Sequence, residues 1–323
     1  MVCARGARAQ ERLMNTLAAD KPKIAVLIPC HNEAATIAKV IADFRAELPD
    51  SPIYVFDNCC TDATAEIARR NGAIVLTEPR KGKGFVVESM FDRIDADGYV
   101  MVDGDDTYDA ARVHDLLAPV LAGEADMTVG ARLAEYDDRS FRHLHVAGNG
   151  LVRGLINFIF HTKLTDILSG YRAFNGKVVR HVPVVSAGFE VETELTIQML
   201  YLRLKVQEVQ VPYRGRPEGS VSKLRTFHDG FRVLWTLFNL FRTCRPMAFF
   251  GSVAVMLLAA GIFFGIRPIQ EYMRLGRVVG APRAVLASGL VILSAISAVL
   301  GLLLDAINCR FRELHNVLVR RRR

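Results

Sequence analysis

The sequence has no Cys-x-x-Cys pair, and none of its six cysteines (Cys3, Cys30, Cys59, Cys60, Cys244, Cys309) stands at ligand spacing from a histidine. That argues against structural zinc and reads as reduced thiols rather than a disulfide framework. The full G-x-x-x-x-G-K-[ST] spacing is missing too, so Arg80-Lys81-Gly82-Lys83-Gly84 is not a nucleoside-triphosphatase loop. Residues 1–20 carry arginines without an apolar centre, and no secretory signal is expected. No nucleic-acid motif accompanies the net charge of +7, which is carried mainly by arginines flanking apolar segments near the C-terminus. Such a placement favours an anionic membrane surface over nucleic acid. Long apolar runs are absent up to about residue 225 and concentrated in 246–304.

What is present begins at Lys23. Ile24–Ile28 reads as an apolar strand closed by Pro29, and Ile37, Val40, Ile41 and Phe44 follow at helical spacing. A second strand, Ile53–Phe56, ends in Asp57-Asn58-Cys59-Cys60-Thr61-Asp62. Thr61 or Asp62 can cap a helix over Ala63–Asn71, which Gly72 stops. A third strand, Ala73–Thr77, leads through the basic glycine turn into another helix, and a fourth, Tyr99–Val102, ends at Asp103. Alternation of this regularity predicts an α/β fold, a mostly parallel, Rossmann-like sheet with helices on both faces. Strand ends of a parallel sheet share one edge, so Asn32/Glu33, Asp57/Asn58 and Asp103/Asp105 converge there, as for a nucleotide. Gly82 and Gly84 are expected to let the backbone approach a phosphate at a helix N-terminus, although a basic glycine turn is often only a turn.

Asp103 and Asp105 straddle Gly104, and a turn there can aim both carboxylates at one point. Paired carboxylate oxygens suit Mg²⁺ or Mn²⁺, which also take oxygens from a diphosphate. A lone Asp-x-Asp reads equally well as a solvated acidic turn, and the surrounding motifs decide between them.

In order, those motifs are Ile28-Pro29-Cys30-His31-Asn32-Glu33, Asp57 to Asp62, Gly82-Lys83-Gly84, Asp103-Gly104-Asp105 and Gly130-Ala131-Arg132. Asp166-Ile167-Leu168-Ser169-Gly170-Tyr171-Arg172, Glu190-Val191-Glu192 and Arg216-Pro217-Glu218-Gly219-Ser220-Val221-Ser222-Lys223 complete the set. With them the chain resembles glycosyltransferase family 2, with its GT-A fold, and within it the polyprenyl-phosphate (dolichol-phosphate-type) enzymes. The resemblance covers about Ile24 to Arg225 and continues into the apolar part. Two positions depart from it: Asn58 stands where the family often has aspartate, and Thr107 where dolichol-phosphate-mannose-type members carry glutamine.

The resemblance implies roles. Pro29, Asn32, Glu33, Asp57, Asn58, Lys83, Asp103 and Gly104 would contact a nucleotide sugar, with Glu33 and Asp57 on base and ribose as hydrogen-bond acceptors. Asp103 and Asp105 would carry the metal. Arg132, Ser169, Arg172, Arg216, Ser222 and Lys223 would receive the acceptor phosphate. Glu190 and Glu192 would share a strand face or line a sugar pocket, or one would simply pair with an arginine. Asp166 is a candidate to orient or assist, and the catalytic set is Asp103, Asp105, Asp166 and Arg216. Gly215 to Ser222 reads as a closing loop. Nothing about His143 and His145 suggests a metal.

Four regions result: a basic segment (1–22), a GT-A domain (23–225), a juxtamembrane amphipathic helix (226–245), and two transmembrane helices with a basic tail (246–323). Phe231, Leu234, Trp235, Phe238 and Phe241 give the third region its apolar stripe, suited to a membrane interface. Pro246–Ile266 and Ala284–Leu304 each supply about 21 nearly uncharged residues, about 31 Å of helix, enough to cross hydrocarbon. The arginine balance places the catalytic domain on the cytoplasmic face of the inner membrane in a multi-pass protein. The expected reaction is inverting transfer of a sugar, from a UDP-sugar by resemblance, to a polyprenyl phosphate of the undecaprenyl type. A homo-oligomer is left open. A processive polysaccharide synthase is the competing enzyme, although no Gln-x-x-Arg-Trp motif is present. A non-catalytic nucleotide-sugar-binding scaffold is the competing class, against which the intact aspartate pair speaks.

Overall fold

The computed structural model describes residues 22–133, 142–188, 190–215 and 245–321, with a few positions between 235 and 243. The chain divides into two compact units, one of Met1–Tyr136, Asp166–Glu192 and Leu204–Ser222, the other of Asp137–Thr165, Thr193–Arg203 and Lys223–Arg323.

The first unit is built on a seven-stranded sheet of β1 (Ile24–Cys30), β2 (Ile53–Asp57), β3 (Ile74–Thr77), β4 (Gly98–Met101), β5 (Met127–Leu133), β6 (Arg172–Asn175) and β7 (Val206–Pro212). Their order is β3-β2-β1-β4-β6-β5-β7. The expected alternation is present, and its limits shift by only a residue or so: the second helix runs Thr64–Arg70 and the fourth strand starts at Gly98. β1, β2, β3 and β4 pair in parallel, as do β5 and β7. β6 runs antiparallel between β4 and β5, which makes the sheet mixed. Antiparallel pairing needs no crossover helix, so the short strand after Tyr171 slots in directly.

Both faces are covered, which explains why the central strands are continuously apolar. Val26, Ile28, Val55 and Val100 join one core with Ile37, Ile41 and Phe44 of α1 (Ile37–Glu47). α2 (Thr64–Arg70) adds Ala68 to that core, and α4 (Val113–Leu121) adds Val113, Leu116 and Leu117. The opposite face receives α3 (Lys83–Arg93), whose Phe91 meets Tyr99 at 6.4 Å and Phe174 at 5.4 Å, centroid to centroid.

Register puts the functional edge together. Cys30 pairs with Asp57, and Asp57 with Thr77. Val102 N donates to Leu27 O at 3.1 Å, so Asp103 emerges beside the end of β1.

The second unit contains α5 (Arg142–Phe160), α8 (Pro246–Leu275) and α9 (Ala281–Arg321). Two short helices, α6 (Gly176–Val179) and α7 (Val191–Tyr201), lie between β6 and β7 in sequence. α8 and α9 each contain a stretch long and apolar enough to cross a membrane, within Pro246–Leu275 and Ala281–Phe311. They form a hairpin whose turn is built locally. Gly276 closes α8 in the left-handed region (φ 62°), and the Glu271 carboxylate accepts from Val279 N and Gly280 N at 3.1 and 2.9 Å. Small residues bring the helices close: a Cβ on Gly261 would stand 2.9 Å from Val291, while Ser294 and Ser297 donate to Ala254 O and Phe250 O at 2.8 and 2.9 Å. Both helices run beyond the spans read from sequence. Of the expected interfacial helix, Trp235, Phe238 and Phe241 are described, and Trp235 stacks on Phe238 at 5.8 Å. Phe231 and Leu234 lie outside the described residues.

Candidate active site

The site is assembled by turns at the strand ends, and each turn is held by a residue from another. After β1, Asn32 takes the left-handed region (φ 56°), its Oδ1 accepts from Thr61 N at 2.7 Å, and its Nδ2 donates to Thr61 Oγ1. Glu33 N donates to Thr64 Oγ1 at 2.8 Å, and the Asp57 carboxylate accepts from Cys60 N at 2.9 Å. The Asp62 carboxylate accepts from Thr64 N, at the start of α2, and from Ala34 N. Burial pushes its carboxyl up, but the Thr64 and Ala34 hydrogen bonds outweigh that and leave it below its usual value. Asn32, Glu33, Asp57 and Pro29 are half-buried beside this edge.

Asn58 is buried and fully engaged with protein. Its Nδ2 donates to Glu78 O at 3.1 Å and Arg80 O at 2.8 Å, while its Oδ1 accepts from Gly82 N at 2.9 Å. These bonds give Asn58 a positioning role between the Asp57 turn and the basic glycine turn. A carboxylate could not donate either bond, which accounts for asparagine here.

Gly82 and Gly84 have a different reason from the one expected. A Cβ on Gly84 would fall 1.7 Å from Ser186 O, and one on Gly82 (φ 144°) would fall 2.1 Å from Ala187 O. Gly84 N donates to Ala187 O at 3.1 Å. The backbone that these glycines admit is that of Ser186-Ala187, and the N–H of the second residue of α3 is already spent on it. The clamp fixes Lys83 between them.

Lys83 Nζ lies 2.5 Å from Asp103 Oδ1 and also pairs with Glu192. Burial alone would lower the ammonium pKa, but the two carboxylates overcome it, and Lys83 stays protonated with its pKa raised. Glu192 stands in the first turn of α7 and Glu190 in the turn before it, both buried, so the strand face considered for them does not exist. Glu190 Oε1 accepts from Gly188 N at 3.3 Å.

Asp103 presses against Gly170, where a Cβ would sit 2.3 Å from its carboxylate. Gly104 is held by Thr36, whose hydroxyl donates to Gly104 O at 2.6 Å. Asp105 is buried and accepts from Thr107 Oγ1 at 2.6 Å. Among the described residues no cluster of three or more His, Cys, Asp or Glu side chains could hold a metal alone. Asp103 already binds a cation, and with Asp105 it suits a metal that takes its remaining ligands from substrate oxygens, the usual state of Mg²⁺ at phosphates.

The acceptor-side candidates fall into two groups. Arg132 grips Asp166 with Nε to Oδ2 at 2.6 Å and Nη2 to Oδ1 at 3.0 Å, and its guanidinium lies 5.3 Å from the Tyr213 ring centroid. Burial raises the Asp166 pKa, but Arg132 overrides it and holds the carboxyl below its ordinary range, which suits charge and poorly suits a base. Arg172 and Ser169 are fully buried. The Arg172 guanidinium donates to Ser169 O and Ile167 O, each at 2.8 Å, and burial depresses its pKa. Both help shape the Asp166–Gly170 turn. Arg216, Ser222 and Lys223 lie outside the described residues.

Sequence reasoning missed Tyr108. Its buried hydroxyl accepts from Gly170 N at 3.1 Å and Ser169 Oγ at 3.3 Å, tying the acidic turn to the 166–170 turn. Tyr108 also bridges Tyr213, and Arg214 N donates to Thr107 O at 2.9 Å. The chain is thereby pinned to the acidic turn two residues before Arg216. No local pattern marks a tyrosine whose partners lie 61 and 62 positions away.

Residues 25–182 match the family described as glycosyl transferase family 2. Glycosyltransferase AglJ of Haloferax volcanii is 34% identical over 251 residues, covering 77% of this chain and 82% of the relative. A dolichyl-phosphate hexose transferase of the same organism is 28% identical over 210 residues, covering 65% and 90%. Glucosyl-3-phosphoglycerate synthase from Mycobacterium tuberculosis, solved with Mn²⁺, UDP-glucose and phosphoglyceric acid, superposes with TM-score 0.56 at 24% identity, covering 68% and 79%. The chain belongs to glycosyltransferase family 2. It is a glycosyltransferase with a GT-A-type sheet, followed by two long apolar helices.

Proposed function

We propose that this enzyme transfers a hexose from a nucleoside diphosphate sugar of the uridine type to a polyprenyl phosphate at the cytoplasmic face of a membrane. The observation that carries the lipid acceptor is the helix hairpin joined to a glycosyltransferase site. More than a dozen large apolar side chains of α8 and α9 are exposed, Met256, Phe263 and Leu302 among them. Each is worth roughly 1.5–3 kcal/mol when removed from water, so leaving them in water would outweigh a domain's stability of about 5–15 kcal/mol. A bilayer removes that cost and holds the acceptor's phosphate at the surface. The dolichyl-phosphate hexose transferase among the relatives supports the acceptor class, and the Mn²⁺- and UDP-glucose-bound neighbour supports the donor.

Asp103 and Asp105 would hold Mg²⁺ or Mn²⁺, which when bound neutralises the diphosphate and stabilises it as a leaving group. Glu33 and Asp57 accept from base and ribose, and Glu190 and Glu192 border the sugar. Asn58, Tyr108, Ser169 and Arg172 hold the turns that aim these groups. A phosphate oxygen of the lipid attacks the anomeric carbon as the bond to the nucleoside diphosphate breaks, inverting the configuration. That oxygen is ionised near neutral pH, its second pKa being about 6, and Asp166, paired with Arg132, has no proton to take. Arg132, Arg216 and Lys223 offset the repulsion between the two phosphates.

The test is the full chain in lipid with undecaprenyl phosphate and a panel of UDP- and GDP-sugars, the lipid product being followed by mass. A product one hexose heavier is expected from a UDP-hexose. No lipid product from any donor, with nucleotide still bound, would overturn the acceptor assignment.

A further inference from the structure

Lys83 carries a positive charge to Asp103, one of the two carboxylates proposed above to hold a metal. Its ammonium is paired with Asp103 and with Glu192. Its backbone is fixed by the Gly82/Gly84 clamp on Ser186-Ala187, so only the side chain can move. Asp103 in turn is set against Gly170 and is partly exposed, with one carboxylate oxygen on the lysine.

We propose that Lys83 is a stand-in cation. It holds Asp103 against Glu192 before substrate arrives, and it yields Asp103 when a nucleoside diphosphate brings a divalent metal. This rests on the reading of Asp103 as a metal ligand and adds an order to binding. A single ammonium between two carboxylates leaves the trio at −1. A divalent cation added with Lys83 in place meets a like charge at short range, so the metal alone binds weakly. A diphosphate supplies new negative charge toward which Lys83 can turn. Metal and nucleotide therefore bind cooperatively, and by linkage each strengthens the other equally. Glu192 sets how much of the lysine's charge falls on Asp103. A purely structural role would make Lys83 only a strut between α3 and the start of α7, and its removal would cost stability without improving metal binding.

The two roles separate when Mn²⁺ is titrated into the full-length protein by electron paramagnetic resonance, with and without UDP. For Lys83→Met, Mn²⁺ affinity without nucleotide is expected to rise about tenfold, a modest effect for a unit charge at roughly 4 Å in a partly screened site. The Mn²⁺–UDP coupling factor should shrink to match, and Mn²⁺ should raise the Tm of this variant more than that of the parent. Glu192→Gln leaves the ammonium undivided on Asp103 and is expected to weaken Mn²⁺ binding several-fold; it decides the matter should Lys83→Met fail to fold. Mn²⁺ affinity unchanged or lower in Lys83→Met, or unchanged in Glu192→Gln, overturns the proposal. A parent protein that binds UDP but no Mn²⁺ under any condition overturns instead the metal role of Asp103.

Discussion

Asn58→Asp alters one polar atom and almost no volume, so its cost measures what the amide does. The two donors to Glu78 O and Arg80 O disappear, while the acceptor for Gly82 N is kept. A carboxylate oxygen is instead turned toward two carbonyl oxygens that the amide met at 3.1 and 2.8 Å. The buried Glu78 carbonyl keeps only a long contact from Cys59 Sγ at 4.0 Å, and losing its amide donor costs roughly 1–3 kcal/mol, with less for the part-buried Arg80 carbonyl. The charged acceptor gains on the Gly82 side, so the net expected loss is about 2–4 kcal/mol. At roughly 2–4 °C per kcal/mol for a unit of this size, the Tm falls by on the order of 10 °C. Facing carbonyl oxygens, the introduced carboxyl has a folded pKa above its unfolded value. The folded variant thus holds its proton longer, and its deficit grows as pH rises through the folded pKa and narrows on acidification. Thermal unfolding of parent and variant from pH 4 to 8 reads both effects. Loosening of Gly82 should also raise the KM for the donor sugar. A variant as stable as the parent at pH 7, with donor KM unchanged or lower, would refute the reasoning and return Asn58 to the ligand surface.

Asp105→Asn keeps the acceptor for Thr107 and removes the charge, so turnover should fall about 10²-fold or more with circular dichroism unchanged; near-parental turnover would end its assigned role. Glu78 is held at about 2 by Arg80, against burial, from an ordinary 4.5. Its contribution is therefore present above pH 4.5 and lost as pH falls toward 2, so the stability gap between parent and Glu78→Gln should close across that window in acid titrations. Val278→Cys, in the hairpin turn, should be labelled by an impermeant thiol reagent added outside intact cells, and Cys59 should not; the opposite pattern reverses the topology. Arg216→Ala should lower turnover strongly while sparing nucleotide-sugar binding, and Arg216→Lys should restore it only in part because the forked donor is lost; unchanged kinetics with varied lipid phosphate would make Arg216 a linker residue.

The sheet's first half was legible because each strand is a short apolar run and each helix an amphipathic period, and both signals are local. The convergence of Asp57 and Asp103 followed from parallel strands alone. β6 was not legible: Arg172-Ala173-Phe174-Asn175 is four residues long, and its direction is set by partners in β4 and β5. The glycines of the basic turn were noticed for the right property, close backbone approach, yet the approaching group is Ala187, a hundred residues on. Glu192 likewise gave no sign that it faces Lys83, since the two meet only when the start of α7 is placed. Local patterns singled out the candidate side chains; what was hidden is the set of distant residues that hold them in place.

Those hidden contacts bear on the chemistry. A hydroxyl acceptor would require a base, and Asp166 is the carboxylate that a sequence reader reaches for first. Arg132 binds it in two places and lowers its pKa, which removes its basicity at the cost of one cation's full availability to substrate. That trade is disadvantageous for an alcohol nucleophile and harmless for a phosphate, which arrives already ionised. Buried Arg172 and Tyr108 hold the same turn, so the pair is rigidly presented rather than incidental. A carboxylate held charged beside its cation, as Asp166 is beside Arg132, fits the proposed meeting of two anions better than base-dependent attack by an alcohol.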